Sequence, residues 1–344
     1  MNTSHRNITI HVFFLLAAVF LSLLGCTKKD AGREITILNL SYDTTRELYQ
    51  EYNRVFARHY KEKTGITVLV NQSHAGSAGQ ARSVIEGNEA DVLTLSLASV
   101  VDTIADAGNI IAPDWITRLP HNSSPYTSAI VFLVRAGNPK NIRDWDDLVK
   151  DGVHVVTTDP KTSGLSRWSY LAAWAYARQN YGEDNAREFV KRLFGNVFVF
   201  DSGARSSTNT FVQRGLGDVL LAWENEVYLI LKEHPEDNFE IVTPSLSILT
   251  EPSVTYVDSI VDKHGTRDVA TAYLEYLYTD DMQRLIGRHY YRPSNPAILA
   301  EFSELFPPLH LVTVDDDFGG WQAAHNLHFA DGGIFDQIMT ELKR

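Results

Sequence analysis

Ile35-Thr36-Ile37-Leu38-Asn39-Leu40 runs apolar, breaks at Ser41-Tyr42-Asp43-Thr44, and gives way to a helical pattern over Arg46–Lys61. A strand that enters a helix through so short a polar loop leaves unpaired backbone N–H groups at the helix start. The positive end of the helix macrodipole lies behind them. Such a junction is a ready-made anion site. The same break recurs at His74-Ala75-Gly76-Ser77-Ala78-Gly79, at Pro160-Lys161-Thr162-Ser163-Gly164-Leu165 and at Asp201-Ser202-Gly203-Ala204-Arg205. Four such junctions in one chain predict a protein built to surround a small oxyanion.

Working outward, further strands are expected at Thr67–Asn71, Val92–Leu97, Ala129–Arg135, His154–Thr158, Val197–Phe200, Val219–Trp223, Glu240–Val242 and Val254–Val257. Helical patterns separate them at Gln80–Gly87, Val101–Ala107, Trp145–Val149, Arg167–Asn180, Asn185–Leu193, Ser207–Arg214 and Arg267–Thr279. Strand-helix alternation with short loops predicts an α/β protein with parallel sheets flanked by helices. Thr44 with Glu47 fits a capping box, and Ser77 is placed as an N-cap. Leu48, Tyr49, Tyr52, Val55, Phe56 and Tyr60 form a stripe near helical spacing that reads as core. Asn122–Ser128 looks like a crossover between two sheets, and Pro244–Pro252 like a second. Two crossings divide the chain into one lobe of residues 34–124 plus 250–344 and another of residues 125–249. Ligands bind at the carboxyl ends of strands in open α/β sheets. All four polar loops follow strands, two in each lobe, so all can face one cleft.

The chain has 344 residues, 44% apolar and 22% charged, with a formal charge of −12. No Lys/Arg stripe of the kind a phosphate-backbone binder needs is present, which disfavours nucleic acid. Net acidity repels an anion in bulk, so any anion specificity has to come from local donors. His5 and Arg6 precede the apolar run Ile8–Leu24, which ends Leu23-Leu24-Gly25-Cys26 at the single cysteine. That ending resembles the bacterial lipobox. It implies a signal peptide over residues 1–25, lipidation of Cys26, a polar tether over 26–33 and an exported, lipid-anchored product. An ordinary cleaved signal or an uncleaved anchor is the alternative. No later stretch approaches the ~20 apolar residues of a membrane span.

Ala75-Gly76-Ser77-Ala78-Gly79 comes close to the Gly-x-Ser-x-Gly nucleophile elbow, with His74 nearby. A serine hydrolase using Ser77 needs a base that reaches it and an acid that orients the base. No such pair stands at convincing spacing, and Ala75 replaces the first glycine. A Walker-type loop would need Lys where Gln80 stands. A plain helix cap with no ligand also remains open. His325 and His328 lie near Asp331, but zinc needs three or four ligands. Among Trp321, Leu327 and Phe329 they read as packed or surface side chains. No metal and no cofactor is expected.

Longer segments carry a specific resemblance. They are Leu38-Asn39-Leu40-Ser41-Tyr42-Asp43-Thr44-Thr45-Arg46-Glu47-Leu48-Tyr49, Gln72-Ser73-His74, Ser124-Pro125-Tyr126-Thr127-Ser128 and Asp201-Ser202-Gly203-Ala204-Arg205. Ala222-Trp223-Glu224-Asn225-Glu226, Tyr290-Tyr291-Arg292-Pro293, Phe318-Gly319-Gly320-Trp321 and His328-Phe329-Ala330-Asp331-Gly332-Gly333 continue the series. In this order they resemble the periplasmic sulfate-binding proteins of bacterial sulfate/thiosulfate ABC importers. The resemblance implies a two-lobed, type II periplasmic-binding-protein-like fold. Each lobe would be a mostly parallel sheet flanked by helices, and the lobes would hinge on two crossover strands. It further implies a monomeric non-enzyme that binds sulfate or thiosulfate and hands it to permease subunits.

By the same resemblance the ligand donors are the Asp43 N–H, the Ser77 hydroxyl, the N–H groups of Ser163, Gly164 and Leu165, the Ala204 N–H and the Trp223 indole. Arg167 and Arg205 would support the backbone near these loops. The family stretch Asn-Pro-Lys-Ser/Thr-Ser-Gly-Gly-Ala-Arg reads Asp159-Pro160-Lys161-Thr162-Ser163-Gly164-Leu165-Ser166-Arg167 here. Leu165 adds bulk and disfavours φ > 0, and Ala75 and Ala78 stand where glycines are usual.

Sulfate carries no proton at neutral pH and can only accept hydrogen bonds. A cage made wholly of donors suits it. Phosphate keeps an O–H that such a cage would leave unpaired, at a penalty of about 1–3 kcal/mol. An Asp43 carboxylate turned inward could accept that proton, so phosphate stays as an alternative, and molybdate stays as another tetrahedral anion.

Overall fold

The computed structural model describes residues 33–343. The expected signal peptide over 1–25, Cys26 and nearly all of the 26–33 tether lie outside the described residues.

Strand Glu34–Tyr42 sits inside the first sheet, parallel to Thr67–Ala75 on one side and to Val92–Leu95 on the other. Ser253–Tyr256 closes the far edge, antiparallel to Val92–Leu95. The register runs from Glu34↔Thr67 to Tyr42↔Ala75. The loops that begin at Asp43 and Gly76 therefore leave the sheet at one level. Helix Arg46–Thr64 covers this sheet with Leu48, Tyr49, Tyr52, Phe56 and Tyr60, all buried. The stripe read from the sequence is core.

The second sheet has the order Val197–Asp201, Val155–Thr158, Val219–Trp223, Ile130–Val134, Glu240–Val242. Its first three strands are parallel, while Ile130–Val134 is antiparallel to both of its neighbours. Thr158 pairs with Asp201, which again brings two loops out side by side. The fold is thus an α/β protein with two mostly parallel sheets, the first with its antiparallel strand at the edge and the second with its antiparallel strand, Ile130–Val134, one in from the edge.

Four helices begin three residues earlier than the apolar periodicity suggests, at Ser77, Ala98, Gly164 and Ala204. Their first turns hold at most one large apolar residue each (Leu165 in the turn Gly164-Leu165-Ser166, for example), too few to show an apolar period. Ser77 is accordingly the first helical residue, and Gly76 is the N-cap. Thr44 is no capping-box residue either: it lies inside a single 3-10 turn, Asp43–Thr45.

The expected crossings are joined by a third. Tyr126–Thr127 pairs antiparallel with Arg292–Pro293, and Ser128 bridges Thr250. Past residue 310 the chain moves over to the second sheet's side, so the expectation that 250–344 belongs wholly to the first lobe needs correction. Leu311–Val312 pairs with Ser247–Ile248, and Ile334–Leu342 packs on helix Glu183–Gly195. Helix Gly164–Tyr181 explains the move, since 13 of its 18 residues are buried. A helix apolar on nearly every side needs cover on its outer face. Val312, Val314, Phe329, Phe335 and Ile338 belong to the same core cluster as Trp168, Tyr170 and Leu171.

Candidate functional site

All six parallel strands end toward one seam, where the loops of the two sheets touch backbone to backbone. A Cβ on Gly76 would stand 2.8 Å from the Thr162 carbonyl oxygen and 3.2 Å from that of Ser202. One on Gly164 would stand 2.1 Å from Ser96 Oγ, and one on Gly203 would meet the Asp43 carboxylate at 2.6 Å. At Gly76 the neighbours are backbone carbonyls, so a side chain there would hold the sheets apart; at Gly164 and Gly203 they are the side chains of Ser96, Leu97 and Asp43, which would have to give way.

The residues expected to hold a ligand all border this seam. Asp43 opens the 3-10 turn after its strand. Its carboxylate accepts the Arg205 N–H at 3.1 Å across the seam, capping a helix that belongs to the other sheet. Burial pushes that carboxyl up from its usual range, and the Arg205 N–H pulls it back down. Ser77 is 1% exposed; its Oγ accepts the Ser96 N–H at 3.0 Å and lies 2.8 Å from Ser96 Oγ. Gly164 and Leu165 form the first turn of one helix and Ala204 opens another. Their N–H groups are among the orphan donors that every helix start leaves.

Two expectations change. The Ser163 N–H is already used in its turn, donating to the Asp159 carbonyl at 2.9 Å. Leu165 needs no φ > 0: it lies in helical backbone with its side chain buried in the core. Its extra bulk is core packing.

Trp223 ends its strand 1% exposed, with its ring centroid 6.1 Å from that of Tyr42. Trp115, Trp145, Trp168 and Trp174 donate their indole N–H to Asp102, the Leu246 carbonyl, the Ser96 carbonyl and Glu183. No protein acceptor among the described residues takes that of Trp223. Sequence reasoning missed Ser96. It follows a fifth strand end, but Leu95-Ser96-Leu97-Ala98 has no glycine and reads as more strand.

The cations near the seam are committed elsewhere. Arg205 Nη2 bonds Glu47 at 3.0 Å, and its Nε stands 3.3 Å from Glu226 Oε1 without hydrogen-bond alignment. Arg167 Nε donates to the Pro160 carbonyl at 2.8 Å and braces the loop, as expected of a supporting residue. A bound anion would therefore meet neutral donors.

Glu226 is fully buried. Desolvation pushes its carboxyl up to about 7, against the opposing pull of Arg205 and the Thr208 hydroxyl, which donates at 2.8 Å. A carboxyl held up in the fold keeps its proton where the unfolded chain, titrating near 4.5, has lost it. Stability is then lost as pH rises from about 4.5 through about 7. Glu226→Gln should flatten this slope; parallel melting-temperature profiles for variant and wild type would show that Glu226 does not titrate there.

Other chemistry finds no support at these residues. His74 bonds the Tyr42 carbonyl and Gln72 at 3.2 and 3.3 Å, and Ser77 bonds Ser96, so the two never pair as base and nucleophile. His328 is packed against Trp174 with its Nδ1 3.1 Å from the Tyr170 hydroxyl, and burial pulls it down to about 4.

Residues 38–292 match the family model described as bacterial extracellular solute-binding protein. The chain is 55% identical over 322 residues to the sulfate-binding protein of Escherichia coli, covering 93% of this chain and 98% of that protein. Against the thiosulfate-binding protein of Pseudomonas aeruginosa it is 49% identical over 305 residues, 88% of this chain and 92% of the other. Among solved structures, the sulfate-binding protein SubI from Mycobacterium tuberculosis superposes with a TM-score of 0.76 at 31% identity, covering 85% of this chain and 98% of that one. Converging helix starts at a two-sheet seam and near full-length likeness lead to one assignment: the chain belongs to the bacterial extracellular solute-binding proteins.

Proposed function

We propose that this protein is the sulfate-binding component of an ABC importer, taking sulfate or thiosulfate at the seam and handing it to permease subunits without chemical change. One observation carries the reading: helix-start N–H groups from both sheets and the Trp223 indole meet at the seam, where Arg205 already holds Glu47 and Arg167 Nε already holds the Pro160 carbonyl. The cage comprises the Asp43 N–H, the Ser77 hydroxyl, the Gly164 and Leu165 N–H groups, the Ala204 N–H and the Trp223 indole, with Ser163 contributing its hydroxyl. The sulfate- and thiosulfate-binding proteins to which the chain is similar over nearly its full length support this ligand class. The Arg205 N–H engages one oxygen of the Asp43 carboxylate, which draws part of its acceptor capacity away from a phosphate proton. Residues 34–124 with the part of 250–344 on the first sheet would move against 125–249 by hinge bending. The site is complete within one chain, in keeping with a monomer.

Calorimetric titration with sulfate, thiosulfate, molybdate and phosphate tests the reading. Sulfate should bind at micromolar strength or tighter, about 8 kcal/mol or more, and phosphate should trail it at pH 7. No binding of any dianion would end the proposal. Trp223→Phe removes one donor and should weaken sulfate by about 1–3 kcal/mol; unchanged affinity would take Trp223 out of the site. Export to the periplasmic or outer side with a lipid on Cys26 completes the picture. If Cys26→Ser leaves the protein membrane-bound in its host, the anchor is something else.

A further inference from the structure

Beside the seam lies a separate concavity of about 500 Å3, lined by none of the seven expected cage residues. Helices Ser77–Ile85 and Ala98–Asp106 give it an apolar wall of Ala81, Ile85 and Val100, with Arg82 at the rim. Lys161, Arg167, His325 and Phe329 face them from the second sheet's side. The groove is therefore shared by both halves of the molecule.

Its cations differ in one respect. Lys161 is occupied, bonding Asp336 at 2.9 Å and the Phe329 carbonyl at 3.0 Å, with Asp331 at 3.6 Å. His325 is kept neutral by burial and by the nearby Arg167 and Lys161, and its buried Nδ1 has no partner. Arg167 has a hydrogen bond from Nε alone, and no carboxylate lies within ion-pair distance of it among the described residues. Its guanidinium carbon stands 5.4 Å from the Phe329 ring centre. Burial pulls its pKa down to about 10, and Asp159 on the adjoining loop opposes this only in part. Arg82, exposed on the opposite half, also lacks an ion pair among the described residues. The one acid in the lining, Asp331, projects fully into solvent toward Lys161.

A desolvated guanidinium without a counter-ion is costly, and its planar fork matches two oxygens of one oxyanion. Sulfate alone would leave the opposing wall uncovered, with Ile85 39% exposed. We propose that this concavity is a second binding site, taking a small organic oxyanion with its oxygens on Arg167 and Arg82 and its apolar group against Ile85 and Val100. A ligand held by both halves binds the closed form, so it and the cage ligand strengthen each other reciprocally. The inference does not depend on which anion fills the cage.

The probe is benzenesulfonate, titrated calorimetrically into sulfate-saturated protein and, separately, into sulfate-free protein. Saturable binding at one site is expected in the presence of sulfate, together with slower sulfate release. Arg82→Gln and Arg167→Gln should each weaken it about tenfold or more, the scale of a lost charged hydrogen bond. Arg82 is exposed, so its variant keeps the fold if Arg167→Gln does not. Displacement of sulfate would place the probe in the cage and overturn the proposal. Absence of saturation, equal binding by Arg82→Gln and wild type, or an unchanged sulfate release rate would overturn it as well.

Discussion

Replacing Arg292 by methionine should lower the unfolding free energy by about 3–5 kcal/mol, the scale of a buried carboxylate left without its partner. Arg292 Nε and Nη2 hold the two Glu224 oxygens at 2.7 and 2.9 Å, with the side chains only 8% and 3% exposed. The guanidinium also reaches the Pro307 carbonyl and lies over Phe306. Methionine fills part of that volume but leaves Glu224 charged in a dry place. The pair ties the crossing strand Arg292–Pro293 to the residue directly after Trp223, so loosened ligand affinity should accompany the loss. Urea unfolding without ligand is the proper measurement, because a bound anion would add stability by mass action. Adding Glu224→Gln to Arg292→Met should restore much of the stability, since it removes the stranded charge. A single variant as stable as wild type would mean that water reaches the pair.

Gly164→Ala should weaken sulfate binding by about 1–3 kcal/mol, or roughly 5- to 150-fold, the usual range for forcing a carbon into a filled space. The new Cβ would lie 2.1 Å from Ser96 Oγ and 2.5 Å from Leu97 Cδ2. Ser96 has little room to yield. Its N–H and Oγ are engaged with Ser77, and its carbonyl takes the Trp168 indole N–H at 3.0 Å. The two sheets must then stop short, and donors on one side no longer reach an anion seated on the other. Gly76→Ala should act similarly, because its Cβ would meet the Thr162 carbonyl oxygen at 2.8 Å. Gly79 supplies the control, with nothing within 4 Å of its Cβ position. Gly79→Ala should bind as wild type and gain slightly in helix stability. Calorimetry on the three variants separates these outcomes; a Gly164→Ala protein with wild-type affinity would show that the seam has slack.

Glu226→Gln probes the same seam from behind, through pH. Arg205 stands between Glu47 and Glu226, with Asp43 capping its own backbone N–H. Four charged or titratable groups from both sheets thus sit next to a proposed anion cage without lending it a positive charge. The discrimination expected there has to come from the count and direction of neutral donors.

Local sequence alone determined the alternation of strands and helices, and with it the α/β class and the four polar junctions. Each of these depends on neighbours a few residues apart: apolar runs, a 3.6-residue stripe, small residues where a strand becomes a helix. The tertiary structure decided the rest. It alone set the start of the helices at Ser77, Ala98, Gly164 and Ala204, and turned Leu165 into core. It also carried the stretch beyond residue 310 across to cover helix Gly164–Tyr181, and set Ser96 and Asp43 against the opposite sheet. Those choices rest on contacts between residues far apart in the chain, 72 positions for Trp168 with Ser96 and 162 for Arg205 with Asp43, where shape and unpaired groups select partners and no local period records them.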